Sequence, residues 1–265
     1  MNVFLREMKS HRWGLLFWCI GIFWMVAAGM MKYSAFEASG QSVSDMLQQL
    51  PEGLRAVFGL SGFDVTTAAG FYGMLYLYLV VMGGIHAALI GASVISKEER
   101  DRTSEFLYTK PSTRGRILTA KLAAGLVNII VVNLATLTSS FYYVDMYNKD
   151  EPFGAKIMLL MVGMFFIQAI FLSIGAFLAG TTHKPKTAPS RASSIMFLAF
   201  MLSVIVNLNE DLDILKYLTP FKYFEAAPLM SNGGLEIGYV ALSVAIIVIA
   251  IAATYRFYSA RDLSV

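Results

Sequence analysis

The sequence predicts an all-α integral membrane protein with six transmembrane helices. Three observations predict it. The first is composition: the 265 residues are 57% hydrophobic and 15% charged, with a mean hydropathy of +0.60, where a soluble domain carries about 25% charged residues. The second is a set of six apolar runs, roughly 13–31, 72–95, 117–142, 157–180, 192–208 and 237–255. Each approaches the ~20 helical residues that cross a ~30 Å hydrocarbon layer. The alternating segments of about ten residues that mark a membrane β-barrel are absent. The third is charge placement. With the N-terminus inside, fifteen of the 21 lysines and arginines fall on inner segments, and six (Lys32, Arg55, Lys149, Lys156, Lys216 and Lys222) fall on outer ones. That bias orients the chain N-in and C-in. One transmembrane domain over 1–265 is expected.

The elements follow in order. Residues 2–12, NVFLREMKSHR, put Phe4, Leu5 and Met8 on one helical face and Arg6, Glu7 and Lys9 elsewhere. This predicts an amphipathic elbow helix on the inner membrane surface. The first apolar run is longer than a usual signal core and no small-residue cleavage site follows it clearly, so it is expected to be a retained span. The outer segment 32–71 is too long for a turn. Ser42 and Asp45 form a possible capping box, and Val43, Met46, Leu47 and Leu50 follow helical spacing. Pro51 then starts a second short helix through Phe58.

The second span carries Gly83, Ala87 and Gly91 at four-residue spacing, and the fourth carries Ala169, Ser173, Ala176 and Gly180. Such faces let helices approach closely. The outer segment 209–236 is acidic first and then aromatic, with Pro220 and Pro228 breaking it into short pieces. Tyr217, Phe221, Tyr223 and Phe224 suit a bilayer interface, and the segment is expected to be re-entrant-like.

Several chemistries are excluded or disfavoured. There is no Walker-type loop and no dinucleotide fingerprint. His11, His86 and His183 have no metal-ligand spacing, so no metal site is expected. Cys19 is the only cysteine, which rules out an intrachain disulfide. The string EERDR at 98–102 falls short of a membrane-protease motif, because Arg102 follows Glu99 by three positions rather than four. The spans hold almost no charge, whereas ion-coupled carriers keep charge there for function. The exceptions are His86, expected to be neutral and hydrogen-bonded to a neighbouring helix, and the polar residues Asn128, Asn133, Gln168 and Asn207, expected to join helices. If a solute moves through the protein, its energy comes from elsewhere.

The most highly charged stretch, SKEERDRTSEFLYTKPSTRGR at 96–116, lies between the second and third spans. Glu98, Glu99, Asp101 and Glu105 alternate with Lys97, Arg100, Arg102 and Lys110, while Thr103, Phe106, Leu107 and Lys110 share a helical face. Pro111 stops the helix. A solvated basic loop would explain the lysines and arginines, but not four acids, an apolar pair and a proline stop.

The stretch ISKEERDRTSEFLYTKPSTRGRILTAK, residues 95–121, resembles the segment after the second span in type-2 permeases of ATP-binding-cassette (ABC) exporters. Glu98, Thr103, Glu105, Leu107, Pro111, Thr113, Arg114, Ile117, Leu118 and Lys121 stand in the matching places. Arg102 stands where that family has glycine. The beginning FLREMKSHRWGLLFW, the outer LPEGLRAVFG, LTPFKYF before the last span, and the end with Phe257, Arg261, Asp262 and Leu263 are similar as well.

The resemblance implies a half-transporter of the bacterial cytoplasmic membrane. Two permease subunits, identical or homologous, pair within the lipid, and each docks a separate ABC ATPase subunit that holds ATP and magnesium. This chain itself carries no cofactor and no catalytic site, and no nucleic-acid partner is implied. The docking element, a cytoplasmic coupling helix, falls on Glu98, Glu99, Arg102, Thr103, Glu105, Phe106, Leu107, Pro111 and Arg114. The pathway residues implied are Tyr72, Tyr76, His86 and Asn207. The expected cargo is hydrophobic or amphipathic: a peptide antibiotic, a drug or a lipid-like molecule. The alternative is a non-transporting scaffold or immunity protein that binds a toxin or partner.

Overall fold

A computed structural model describes residues 3–39, 49–58, 60, 63–101, 113–148, 153–182 and 184–260. The described residues are overwhelmingly helical and include no strand. The α-helices are α1 (Val3–Ser39), α2 (Glu52–Val57), α3 (Ala68–Arg100), α4 (Arg114–Tyr147), α5 (Gly154–Thr181), α6 (Ala188–Leu208), α7 (Ala226–Asn232) and α8 (Ile237–Ala260). Short 3-10 turns at Pro185–Thr187, Glu210–Leu218 and Pro220–Lys222 link the later elements. Six of these helices, α1, α3, α4, α5, α6 and α8, are long and apolar enough to cross a membrane.

The helices outrun the apolar runs that announced them. At 1.5 Å per residue, α3 and α4 are each about 50 Å long, against a hydrocarbon layer of ~30 Å. The apolar run marks only the stretch that must be dry, and the helix continues through polar residues beyond it. The elbow differs in the same way. Residues 3–12 form the first turns of one continuous α1 of 37 residues. No glycine or proline lies between Val3 and Trp13 to break it. The predicted helix over 42–50 lies mostly outside the described residues. The one predicted to follow Pro51 is present as α2, with Leu54 N and Arg55 N bonded to the Pro51 carbonyl.

The core sits on α3 and α5, which are the most closely engaged pair among the described helices. The apolar window of α3 is 72% buried, against 17% for α8. The small-residue faces explain this. A Cβ added to Gly91 would stand 2.2 Å from the backbone oxygen of Leu172, and one added to Gly175 would stand 2.5 Å from that of Ala88. The two backbones therefore touch through missing side chains; Gly91 stands on the face that the spacing marked, whereas Gly175 lies outside the fourth-span set. Gly180 departs from that face and meets Thr254 of α8. Asn133 joins α4 to α5 by donating to Gln168 Oε1 (3.2 Å) and to the Met161 carbonyl (3.1 Å). α1 packs on α4 and α3, and it turns Trp13, Phe17 and Trp24 outward.

The long helices alternate in direction. Arg6 of α1 meets Glu98 at the end of α3 and, through it, Lys121 near the start of α4. Thr119 of α4 meets Tyr255 near the end of α8 at 2.7 Å. The described N- and C-terminal residues thus lie at one end of the bundle, as six spans require. The opposite end holds Tyr33, Phe71, Tyr72 and Phe153, together with the segment 209–236.

That segment is packed more deeply than its composition suggested. Phe221, Tyr223 and Phe224 are buried, and only Tyr217 stays exposed. Phe224 stacks on Phe166 of α5 at 5.4 Å and 13°, while Phe221 lies against Phe171 and Phe200. These rings fill the space between α5 and α6 instead of forming an outward belt. The backbone bends that the prolines impose are supported locally. Thr219 Oγ1 donates to the Ala199 carbonyl at 2.8 Å, and the Tyr223 hydroxyl donates to the Tyr217 carbonyl. Burial, with Tyr239 beside it, pushes the Tyr223 phenol up to about 12, so it stays protonated as that donor.

Candidate functional site

At the end of the bundle opposite the termini lies a cavity of about 170 Å³. Phe63, Tyr76, Phe200, Phe221 and Phe224 wall it with rings. Val80, Val204 and Leu77 complete the apolar lining, and Ser203, Asn207 and Glu225 supply polar groups. Each wall has a local cause. Tyr76 projects from the core helix α3 and is fixed by donating its hydroxyl proton to the Leu160 carbonyl of α5 at 2.9 Å. Phe200, Ser203 and Asn207 recur at i, i+3 and i+7, on one face of α6. Glu225 immediately precedes α7. Its Oε1 accepts a hydrogen bond from Lys222 Nζ at 2.8 Å, and the same ammonium donates to Asn207 Oδ1. The result is an aromatic box whose polar wall at Asn207 and Glu225 is backed by the Lys222 ammonium.

At the end that carries the termini lies a second constellation, made of charge. Glu98 is 5% exposed, and Glu7 and Lys121 are fully buried. Arg6 donates to Glu98 Oε1 at 2.7 Å, and Lys121 donates to Glu98 Oε2 and to the Val94 carbonyl. Glu7 lies 3.4 Å from Arg6, 3.7 Å from His11 and 3.9 Å from Lys97. Lys97 also donates to Ser10 Oγ. The cluster ties the start of α1 to the end of α3 and the start of α4. Those two helix ends flank the charged segment that sequence marks as the docking lever.

A match over residues 1–263 to the family described as ABC-2 family transporter protein covers nearly the whole chain. The chain belongs to this family. Among curated proteins no match to the chain is found. As an ABC-2 permease it is a multi-pass membrane component without an ATP-binding site of its own, and it associates with an ABC ATPase.

Within this permease the residues expected at the pathway separate into three places. Tyr76 and Asn207 come together at the aromatic cavity. Tyr72 is fully buried and turns to α4, where its hydroxyl donates to Ser140 Oγ at 2.7 Å. It packs between α3 and α4 and does not line the aromatic cavity. Tyr72→Phe is therefore expected to lower stability by about 1 kcal/mol and to leave transport unchanged, read from detergent unfolding beside vesicle uptake. His86 lines a smaller cavity of about 160 Å³ between α1, α3 and α4. The expected hydrogen bond from His86 to a neighbouring helix is not made among the described residues: its Nδ1 has no partner, and the ring lies 5.3 Å from Trp18.

Of the docking residues, Arg102, Thr103, Glu105, Phe106, Leu107 and Pro111 lie outside the described residues. Glu99 and Arg114 are described and flank that gap. Glu98, expected on the docking face, instead turns into the bundle, because Arg6 and Lys121 supply the partners that its charge needs there. Sequence reasoning placed Lys121 among the inner cations and in the family pattern, but not beside a buried carboxylate. A lysine a few residues into an apolar run was the available signal that a buried carboxylate would meet it.

Proposed function

We propose that the protein is the permease half of an ATP-driven transporter that moves a hydrophobic or amphipathic substrate outward across the bacterial cytoplasmic membrane. It works with a second permease subunit, and hydrolysis takes place on the separate ATPase. The observation that carries this reading is the aromatic cavity with its polar wall. Five rings offer flat apolar surface, while Asn207 and Glu225 offer acceptors at one side, which suits a molecule with an apolar body and a polar head.

Phe106 and Leu107 are the knob that docks on the ATPase, and the Arg6–Glu98–Lys121 cluster anchors the root of that lever to α1 and α4. Movement of the docked ATPase then reaches the core through α3.

The test is reconstitution of the permease with its ATPase in lipid vesicles. ATP-dependent movement of a lipophilic fluorescent probe is expected. The double variant Phe106→Ala with Leu107→Ala is expected to weaken ATPase co-purification by at least about tenfold, since apolar anchors dominate such interfaces. Unchanged co-purification and activity would remove the docking assignment. ATP hydrolysis that no probe changes, with no probe moved, would favour the scaffold role.

A further inference from the structure

We propose that the aromatic cavity receives an amphipathic cation, and that Lys222 is a tethered competitor for its cation position. The word substrate here rests on the transport reading above; the binding site itself does not.

The ammonium of Lys222 stands between two acceptors that belong to the cavity wall, Glu225 Oε1 and Asn207 Oδ1. Lys222 itself does not line that cavity. It lines a neighbouring polar cavity of about 200 Å³, which Glu225 also borders. Glu225 is thus the wall common to both chambers, and the ammonium of Lys222 closes it from the polar side. The pair is only partly open to water, with side-chain exposures of 15% for Lys222 and 31% for Glu225.

A free ammonium with an apolar body has the same needs as Lys222: carbonyl or carboxylate acceptors for its N–H groups, and surface for its carbons. The five rings supply that surface and also favour a cation over their faces. The polar chamber is biased the same way, with Asp213, Glu225 and Glu236 set against Lys216 and Lys222. An incoming cation displaces Lys222 from Glu225. The released lysine keeps a carboxylate within its own chamber, because Glu236 lines it, while Asp213 is already paired with Lys216. Its flexible four-carbon stem lets the head move without its backbone. That backbone is held by Pro220 and the buried Phe221 beside it.

The ammonium could belong to a free amphiphile or to a lipid headgroup, and the experiment separates them. The permease–ATPase complex is placed in nanodiscs of phosphatidylglycerol and titrated, without ATP, with a dansyl-alkylammonium and with the matching dansyl-alkylcarboxylate. The ammonium probe is expected to bind and the carboxylate not. Lys222→Met is expected to tighten the ammonium probe about tenfold, and Glu225→Gln to weaken it about tenfold. Opposite signs from two adjacent residues are not what misfolding produces. Competition by added phosphatidylethanolamine identifies a headgroup source, and its failure to compete identifies a free cation.

Tighter carboxylate binding, or weaker ammonium binding by Lys222→Met, overturns the proposal. ATP-driven movement of a neutral probe with no ammonium binding would overturn it while leaving the transport reading intact. Ammonium binding with no ATP-driven movement of any probe would support the site and count against transport.

Discussion

Replacing Gly91 by alanine is expected to destabilise the bundle by about 2–3 kcal/mol. The added carbon would stand 2.2 Å from the Leu172 carbonyl oxygen. That neighbour is backbone in the middle of α5, so no rotamer change relieves the clash. The helices must separate, and the loss spreads along the α3–α5 interface, the most densely contacted among the described helices. Alanine is otherwise the better helix former by about 1 kcal/mol, so the sign of the effect is decided by the contact. Gly115 provides the control. It sits in the first turn of α4 with nothing within 4 Å of a would-be Cβ, and Gly115→Ala is expected to be neutral or mildly stabilising. Equilibrium unfolding in mixed micelles compares the two directly. Equal behaviour of the two variants would mean that α3 and α5 do not touch at this point.

The spans were legible because one physical requirement writes them plainly: about twenty residues with no charge. That α3 and α5 each offer a face for close helix approach was legible, because a four-residue repeat of small side chains has few other uses. What the pattern could not reveal was the choice of neighbour. Tyr72 and Tyr76 stand one helical turn apart on α3 and look equivalent in sequence. Tyr72 finds Ser140 on α4, while Tyr76 finds Leu160 on α5 and the cavity. Which helix lies on which side is a property of the assembled bundle.

The aromatic residues at 221–224 show a second limit. A ring anchored at a bilayer surface and a ring plugged between helices need the same side chains. Only the packed structure shows that Phe221, Tyr223 and Phe224 turn inward. Glu225 and Lys222 were overlooked for a related reason. Lys222 counted only as an outer cation and Glu225 was not singled out, because nothing in their spacing within an aromatic, proline-broken segment marks the cavity beside them.

The buried charge was the least legible feature, because its members are far apart in sequence: Arg6 and Glu98 are 92 positions apart. It also leads to the largest expected effect. Glu98→Gln is expected to cost about 3–5 kcal/mol, since it leaves the fully buried Lys121 without its carboxylate. Lys121→Met is expected to cost roughly half as much. Glu98 then keeps Arg6 at 2.7 Å, and methionine fills nearly the same volume. The order matters more than the values. Arg6 is 28% exposed and can turn its head to water, whereas Lys121 is 0% exposed and cannot. Adding Lys121→Met to Glu98→Gln is therefore expected to restore stability, because it removes the charge that the first change stranded. A double-mutant cycle in mixed-micelle unfolding measures this coupling. Additive losses would mean that Glu98 and Lys121 do not share a buried pair. A restored double variant that still fails to couple ATP hydrolysis to movement would show that the cluster serves coupling to the ATPase as well as holding the helix ends together.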